Sequence, residues 1–180
     1  LKTQPTKLAV LFPGIGYHCD KPLLYYAGKA CKQRGYTVLP MPYGKLTDMD
    51  KEAAFEKALK TSRKAMKKQM PWEGEDLLFI SKSIGTVVAS RLAEELDLPA
   101  RHLYFTPVME TLPFLKRPSL AFSGLADPWV DPAALKAAFA DKELPLTQYP
   151  DCNHSLETGE VGRDLALQAE IFRAYRDFLE

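Results

Sequence analysis

The sequence predicts a three-layer α/β/α fold built on a mostly parallel sheet of about six strands. Short apolar runs alternate with longer stretches of helical spacing along the whole chain. Such alternation implies crossover connections and helices on both faces of a parallel sheet. The strand segments are continuous apolar runs rather than alternating ones, as burial on both faces demands. With 180 residues and 46% hydrophobic content, the chain has the size of one domain and enough apolar material for its own core. Residues 1–180 therefore read as a single domain, with no internal repeat, low-complexity tract or linker.

The elements follow in order. Leu8-Ala-Val-Leu-Phe12 is a buried strand stopped by Pro13-Gly14. Lys21 to Gln33 reads as a helix, with Gly35 as its stop signal, and Tyr36 to Pro40 as a second strand. Asp50 to Met70 carries Phe55, Leu59, Ser62, Met66 and Met70 at helical spacing. Asp76 to Ser81 is a third strand, Ile84 to Leu96 an Ala-, Val- and Leu-rich helix, Arg101 to Thr106 a fourth strand and Ser119 to Ser123 a fifth. Asp131-Pro132 predicts a helix start, with Asp as N-cap and Pro at the first helical position. Leu146 to Tyr149 is a short sixth strand. The last helix, from Gly159 to Leu179, places Val161, Leu165, Ala169, Phe172, Tyr175 and Leu179 on one stripe. Strand order does not follow from this pattern.

Charge and cysteine content narrow the partners. Lys plus Arg is 24 and Asp plus Glu is 23, a net charge of +1, which gives no global pull toward nucleic acid or membrane. Lys57, Lys60, Arg63, Lys64, Lys67 and Lys68 crowd one helix and read as its solvated face, opposite the apolar stripe. Cys19, Cys31 and Cys152 form neither a disulfide framework nor a zinc pattern, so a reducing, cytoplasmic setting is expected. The Leu8–Phe12 run is too short for a signal-peptide core or a membrane span. His18, Cys19 and Asp20 are adjacent metal-capable residues, yet consecutive loop side chains rarely converge on one ion, and no metal or organic cofactor is expected.

Ser81-Lys82-Ser83-Ile84-Gly85 lies between a strong strand and a strong helix. A serine there projects from the carboxyl end of the sheet, where open α/β folds bind ligands. The sharp turn requires small residues two before and two after it, and Ser81 and Gly85 satisfy that. The competing reading makes Ser83 an ordinary helix N-cap. As a nucleophile, Ser83 needs a neighbouring base, and the chain offers His18, His102 and His154. His102 opens a strand, at the wrong end of the sheet. His154 follows the last strand, at the same end as Ser83. The Ile84 N–H, at a helix start, is placed to stabilise a developing oxyanion.

The turn resembles the nucleophile elbow of the α/β-hydrolase family, Gly-x-Ser-x-Gly, with Ser81 in place of the first glycine. The Pro150–Leu156 segment is similar to that family's catalytic-histidine loop, and Ser123-Gly124-Leu125-Ala126-Asp127 to its Gly-x-x-Asp pattern after the fifth strand. The order Ser83, Asp127, His154 is the family's order. The resemblance implies a minimal α/β-hydrolase fold without a cap domain and a triad in which Asp127 orients His154. Asp131 competes for the acid's place, although it is already explained as a helix cap. The second oxyanion donor is implied at Ile15, in Pro13-Gly14-Ile15-Gly16, with Gly16 as the alternative. Gly14, Gly16, Tyr17, His18, Tyr43 and Trp129 are expected to flank the substrate, and Pro107 to Arg117 to form one pocket wall. The activity implied is hydrolysis of small to medium carboxylic esters, lactones or thioesters. Two rivals are a catalytically inactive hydrolase fold that binds a ligand or partner, and a flavodoxin-like or nucleotide-binding domain. The Gly14-Ile15-Gly16 turn lacks the third glycine and the lysine of a phosphate loop.

Overall fold

A computed structural model describes residues 4–180. Six parallel strands form one sheet: β1 (Lys7–Phe12), β2 (Thr37–Pro40), β3 (Asp76–Lys82), β4 (Arg101–Phe105), β5 (Ser119–Gly124) and β6 (Leu146–Tyr149). Their spatial order is β2-β1-β3-β4-β5-β6, with Leu11 opposite both Pro40 and Ile80. The five α-helices are α1 (Pro22–Gln33), α2 (Lys51–Met66), α3 (Ile84–Glu95), α4 (Pro132–Asp141) and α5 (Val161–Tyr175).

Alternation along each strand sorts the side chains to two faces. Ala9, Leu11, Leu78, Ile80, Leu103 and Phe105 pack with α1 and α5. Leu8, Val10, Phe12, Leu77 and Phe79 pack with α2 and α3. Tyr104 and Ala121 continue that second face under α4, against Leu135 and Phe139. Each fully buried Phe or Leu contributes about 2–3 kcal/mol of transfer free energy, so both faces hold their helices by apolar burial.

Two helices depart from the expectation. α2 ends at Met66 and tightens into a 3₁₀ turn over Lys67–Gln69. In α5 the predicted stripe turns inward only at its end. Val161 and Leu165 are 72% and 67% exposed, whereas Ile171, Tyr175 and Leu179 are buried, with Leu167 packed against them. The row through Leu165 and Ala169 lies two residues, about 200° of helix rotation, from the Leu167–Ile171 row, and only one of the two can face the sheet.

The strand order reverses direction at β1. The chain leaves β1 toward β2 on one side and returns to β3 on the other. The carboxyl ends of β1 and β3 therefore bound a topological switch point, where open α/β sheets bind ligands.

Candidate active site

Ser83 stands on the turn from β3 into α3, with φ 56° and ψ −125°. A non-glycine residue held in such a conformation costs about 1–3 kcal/mol and persists only where its surroundings impose it. Here the Ser83 N–H donates to the Phe105 carbonyl at 3.1 Å, and its own carbonyl accepts from the Thr86 N–H at 2.9 Å and Thr86 Oγ1 at 2.6 Å. Gly85 must lack a side chain, because a Cβ would lie 2.3 Å from the Phe12 carbonyl oxygen and 2.7 Å from that of Pro13. Ser81, standing where the family motif has glycine, fits fully buried.

The Ser83 hydroxyl does not cap α3. Ser83 Oγ lies 2.7 Å from His154 Nε2, and His154 Nδ1 lies 2.6 Å from Asp127 Oδ2. A carboxylate only accepts, so Nδ1–H donates to Asp127 and Nε2 is left to accept the Ser83 proton. The other Asp127 oxygen accepts the Trp129 N–H at 2.9 Å. Asp131, the competing acid, instead caps α4, accepting from the Ala133 and Ala134 N–H groups at 2.9 and 3.1 Å. Gly124 brings the two loops together. A Cβ there would lie 2.0 Å from the Cys152 carbonyl oxygen and 2.8 Å from that of Asn153, so the histidine loop crosses directly over the end of β5.

Ile84 opens α3, and first-turn N–H groups have no intrahelical acceptor. Across from it, Gly14 and Tyr17 close a tight hairpin through the Gly14 N–H to the Tyr17 carbonyl (3.0 Å) and the Tyr17 N–H to the Gly14 carbonyl (3.4 Å). Ile15 and Gly16 form its tip, Gly16 at φ 69°. A Cβ on Gly14 would lie 3.1 Å from Ser83 Cβ, so the hairpin rests on the Ser83 turn. Among the described residues, neither the Ile84 nor the Ile15 N–H donates to a protein acceptor.

Of the residues expected to flank substrate, Gly14, Gly16, His18 and Tyr43 line one cavity of about 370 Å³, together with Cys19 and the Pro40–Thr47 segment. Tyr17 does not share it. Its ring is buried, and its hydroxyl accepts the Leu23 N–H at 3.2 Å, because the hairpin folds the side chain inward under the loop. Trp129 is 73% exposed beside Asp127 and reaches the site through its backbone. His102 is buried at the amino end of β4, where burial and the Lys116 charge press its pKa down to about 3. His18 is exposed near Asp20, 3.7 Å away. Burial, with Asp20 adding to it, pushes the Cys19 thiol up to about 12, and burial raises Cys152. Neither is set up as a thiolate nucleophile.

Lys82 escaped the sequence reading. The residue preceding Ser83 is 1% exposed, and its Nζ lies 4.9 Å from the Tyr17 ring centroid. Burial lowers its pKa to about 7 against the pull of the Asp127 and Glu157 carboxylates, with Lys21 adding to the lowering. The available signal was position: Leu78, Ile80 and Lys82 alternate onto one face of a strand covered on both sides.

An all-parallel doubly wound sheet, a serine elbow at its switch point and no inserted cap among the described residues define the α/β-hydrolase fold in its lid-less form. No protein-family model matches the chain, and no curated protein matches it in sequence. Solved structures do. A lid-less α/β serine hydrolase from Xanthomonas campestris aligns with TM-score 0.62 at 20% identity, over 95% of this chain and 83% of that one. An α/β serine hydrolase homologue from Coxiella burnetii aligns with TM-score 0.69 at 13% identity, over 95% and 86%. Est1E from Butyrivibrio proteoclasticus, solved with ferulic acid bound, aligns with TM-score 0.68 at 14% identity, over 96% and 91%. No helix among the described residues is long and apolar enough to cross a membrane.

Proposed function

We propose that the chain is a serine hydrolase that cleaves carboxylic esters, including lactones or thioesters, of small to medium size. The observation that carries this reading is the continuous relay from Ser83 Oγ through His154 to Asp127, at 2.7 and 2.6 Å. Those distances count against an inactive fold used only for binding, which would tolerate triad atoms out of hydrogen-bond reach.

In the proposed reaction Ser83 Oγ attacks the carbonyl carbon while its proton passes to His154 Nε2. Asp127 stabilises the imidazolium that results. The oxyanion accepts hydrogen bonds from the Ile84 and Ile15 N–H groups. His154 then returns the proton to the leaving alkoxide or thiolate as the C–O or C–S bond breaks. Water, deprotonated by the same nitrogen, attacks the acyl carbon, and His154 returns that proton to Ser83 Oγ as the acyl–Oγ bond breaks and the acid leaves. The partner is a small-molecule ester; nucleic acid and membrane have no place in this reading.

The test is hydrolysis of p-nitrophenyl acetate and butyrate by wild type and Ser83→Ala, with fluorophosphonate labelling mapped by peptide mass. Turnover, label on Ser83 and a loss of roughly 10³-fold or more in the variant are expected. A folded wild type that neither labels nor exceeds background hydrolysis would remove Ser83 as an activated nucleophile.

A further inference from the structure

A second cavity, of about 380 Å³, opens on the other side of the nucleophile turn. Its floor is Ile84, Val87 and Arg91, which stand at i, i+3 and i+7 and so share one stripe of α3. Phe55 of α2 forms one wall. Val108 and Phe114, from the segment after β4, form the other. Phe55, Ile84, Val87, Val108 and Phe114 form its apolar lining, and Lys51, Glu52 and Glu110 line it as well; the Arg91 guanidinium lies 5.4 Å from the Phe55 ring centroid and 5.8 Å from that of Phe114. Arg91 closes the far end. A Lys51–Glu110 ion pair joins α2 to the opposite wall at the rim.

This groove is in register with the chemistry. It begins at Ile84, next to Ser83 in the chain and the proposed oxyanion donor. Its Val108–Phe114 wall is tied to the same turn through Thr111 Oγ1, 2.6 Å from Thr86 Oγ1, which in turn donates to the Ser83 carbonyl. An acyl group on Ser83 with its oxygen at the Ile84 N–H lays its chain beside the Ile84 side chain. From Ile84 to Arg91 the helix rises about 10 Å, the reach of an unbranched chain of roughly eight carbons.

We infer that the Ile84–Val87–Arg91 groove is the acyl-binding site and that the substrates are esters or thioesters of medium-length unbranched acids, about six to eight carbons, with Val87 and Arg91 setting the length limit. This rests on the serine-hydrolase reading above. Each methylene taken from water favours the bound state by up to about fourfold. The expected kcat/KM therefore rises at least about tenfold from acetate to hexanoate and falls beyond octanoate.

The experiment compares p-nitrophenyl acetate, butyrate, hexanoate, octanoate and dodecanoate for wild type, Val87→Phe and Arg91→Ala. Val87→Phe fills the groove midway and should move the optimum to acetate or butyrate. Arg91→Ala changes a half-exposed residue, so it serves where Val87→Phe does not fold, and it should extend turnover to dodecanoate. An acetate optimum in wild type with profiles unmoved by either substitution would overturn the inference. If wild type neither turns over any ester nor labels, the hydrolase reading fails by itself. Calorimetric titration of octanoate then decides the groove: binding weakened by Val87→Phe or altered by Arg91→Ala upholds it, and no binding ends it.

Discussion

Lys82 Nζ lies 4.9 Å from the centroid of the Tyr17 ring, with neither residue more than 5% exposed. The pair joins the end of β3 to the hairpin that carries Ile15. It also places an amine that titrates near neutrality behind Ser83, with the Asp127 and Glu157 carboxylates and Lys21 as its charged surroundings.

Lys82 should make stability rise with pH just above neutrality. Burial holds its folded pKa at about 7, whereas an unfolded lysine keeps its proton to about 10.4. Between these values the unfolded chain binds more protons, so stability from this group is complete above the unfolded value and is lost as pH falls through 7. Cys19 and Cys31, both pushed up to about 12 mainly by burial, act with the opposite sign above about pH 8.5. The clean window is pH 6 to 8.5. Lys82→Met keeps the volume and removes the charge, so its Tm should exceed that of wild type at pH 6, and the gap should narrow toward pH 8.5. A gap independent of pH would mean that Lys82 does not titrate there.

Asp127→Asn should disable the relay without unfolding the chain. The Trp129 N–H holds one Asp127 oxygen, so the asparagine carbonyl is retained at that position and its NH₂ faces His154 Nδ1. The amide then donates where the carboxylate accepted. The histidine must carry its proton on Nε2, which cannot take one from Ser83. We expect kcat to fall by roughly 10³- to 10⁴-fold with Tm changed by a few degrees at most. Steady-state kinetics with thermal unfolding checks both halves.

Much of this arrangement was legible because its signals are local. Asp131-Pro132 announces a helix cap whatever surrounds it, and the resemblance of residues 123–127 to the family's Gly-x-x-Asp pattern puts Asp127 forward as the acid. Ser81 and Gly85 are small because the turn is sharp, and the Phe12 carbonyl against Gly85 shows what makes it so. What stayed hidden depends on the pairing of distant segments. The order β2-β1-β3 places the Gly14–Tyr17 hairpin over Ser83; the residues of the two segments do not say that they meet, and only the family resemblance, through Ile15, implies it. Tyr17 read as a pocket residue because it lies in a loop; its burial follows from that same meeting. The first half of the α5 stripe, Val161 and Leu165, faces outward for a related reason. The helix carries two apolar rows, and the choice between them is made by the α1 and sheet surface it covers.

At the opposite end of the sheet, an acid-labile cluster should set the low-pH limit. Arg101 donates to both Asp76 oxygens, at 3.0 and 2.7 Å, and to the Tyr36 hydroxyl at 2.9 Å, while Tyr36 donates to Asp76 and lies 3.2 Å from the Leu179 carbonyl. Burial would raise the Asp76 pKa, but hydrogen bonds from Arg101 and Tyr36 and the Arg101 and Lys7 charges hold it below the ordinary carboxylate value. Its stabilisation is complete above about pH 4 and is lost as pH falls through the lowered folded value. Asp76→Asn should cost about 2 kcal/mol at pH 7, a fall in Tm of roughly 5 °C. That difference should shrink below pH 4. A difference that persists into acid would assign the effect to packing instead.

Gly124→Ala tests whether the acid and the base are held by one backbone contact. The added methyl would lie 2.0 Å from the Cys152 carbonyl oxygen and 2.6 Å from its carbon. These are backbone atoms, with no flexible end to swing away. The Ala126 N–H donates to that same carbonyl at 3.0 Å, so moving Cys152 breaks the link between the Asp127 turn and the histidine loop. His154 follows two residues later, and its 2.6 Å bond to Asp127 depends on that link. Overpacking of this kind costs about 1–3 kcal/mol. A displacement near 1 Å at a reacting group is worth about 10²-fold in rate. We therefore expect Gly124→Ala to fold with a Tm lowered by several degrees and to lose roughly 10²-fold in kcat on p-nitrophenyl butyrate. Gly35→Ala provides the comparison: it is strained at φ 83° with open space around its Cβ, remote from the relay, and should lower Tm while leaving kcat within about twofold. Equal kcat losses in the two variants would show that backbone strain anywhere suffices, and that Gly124 has no special hold on the relay.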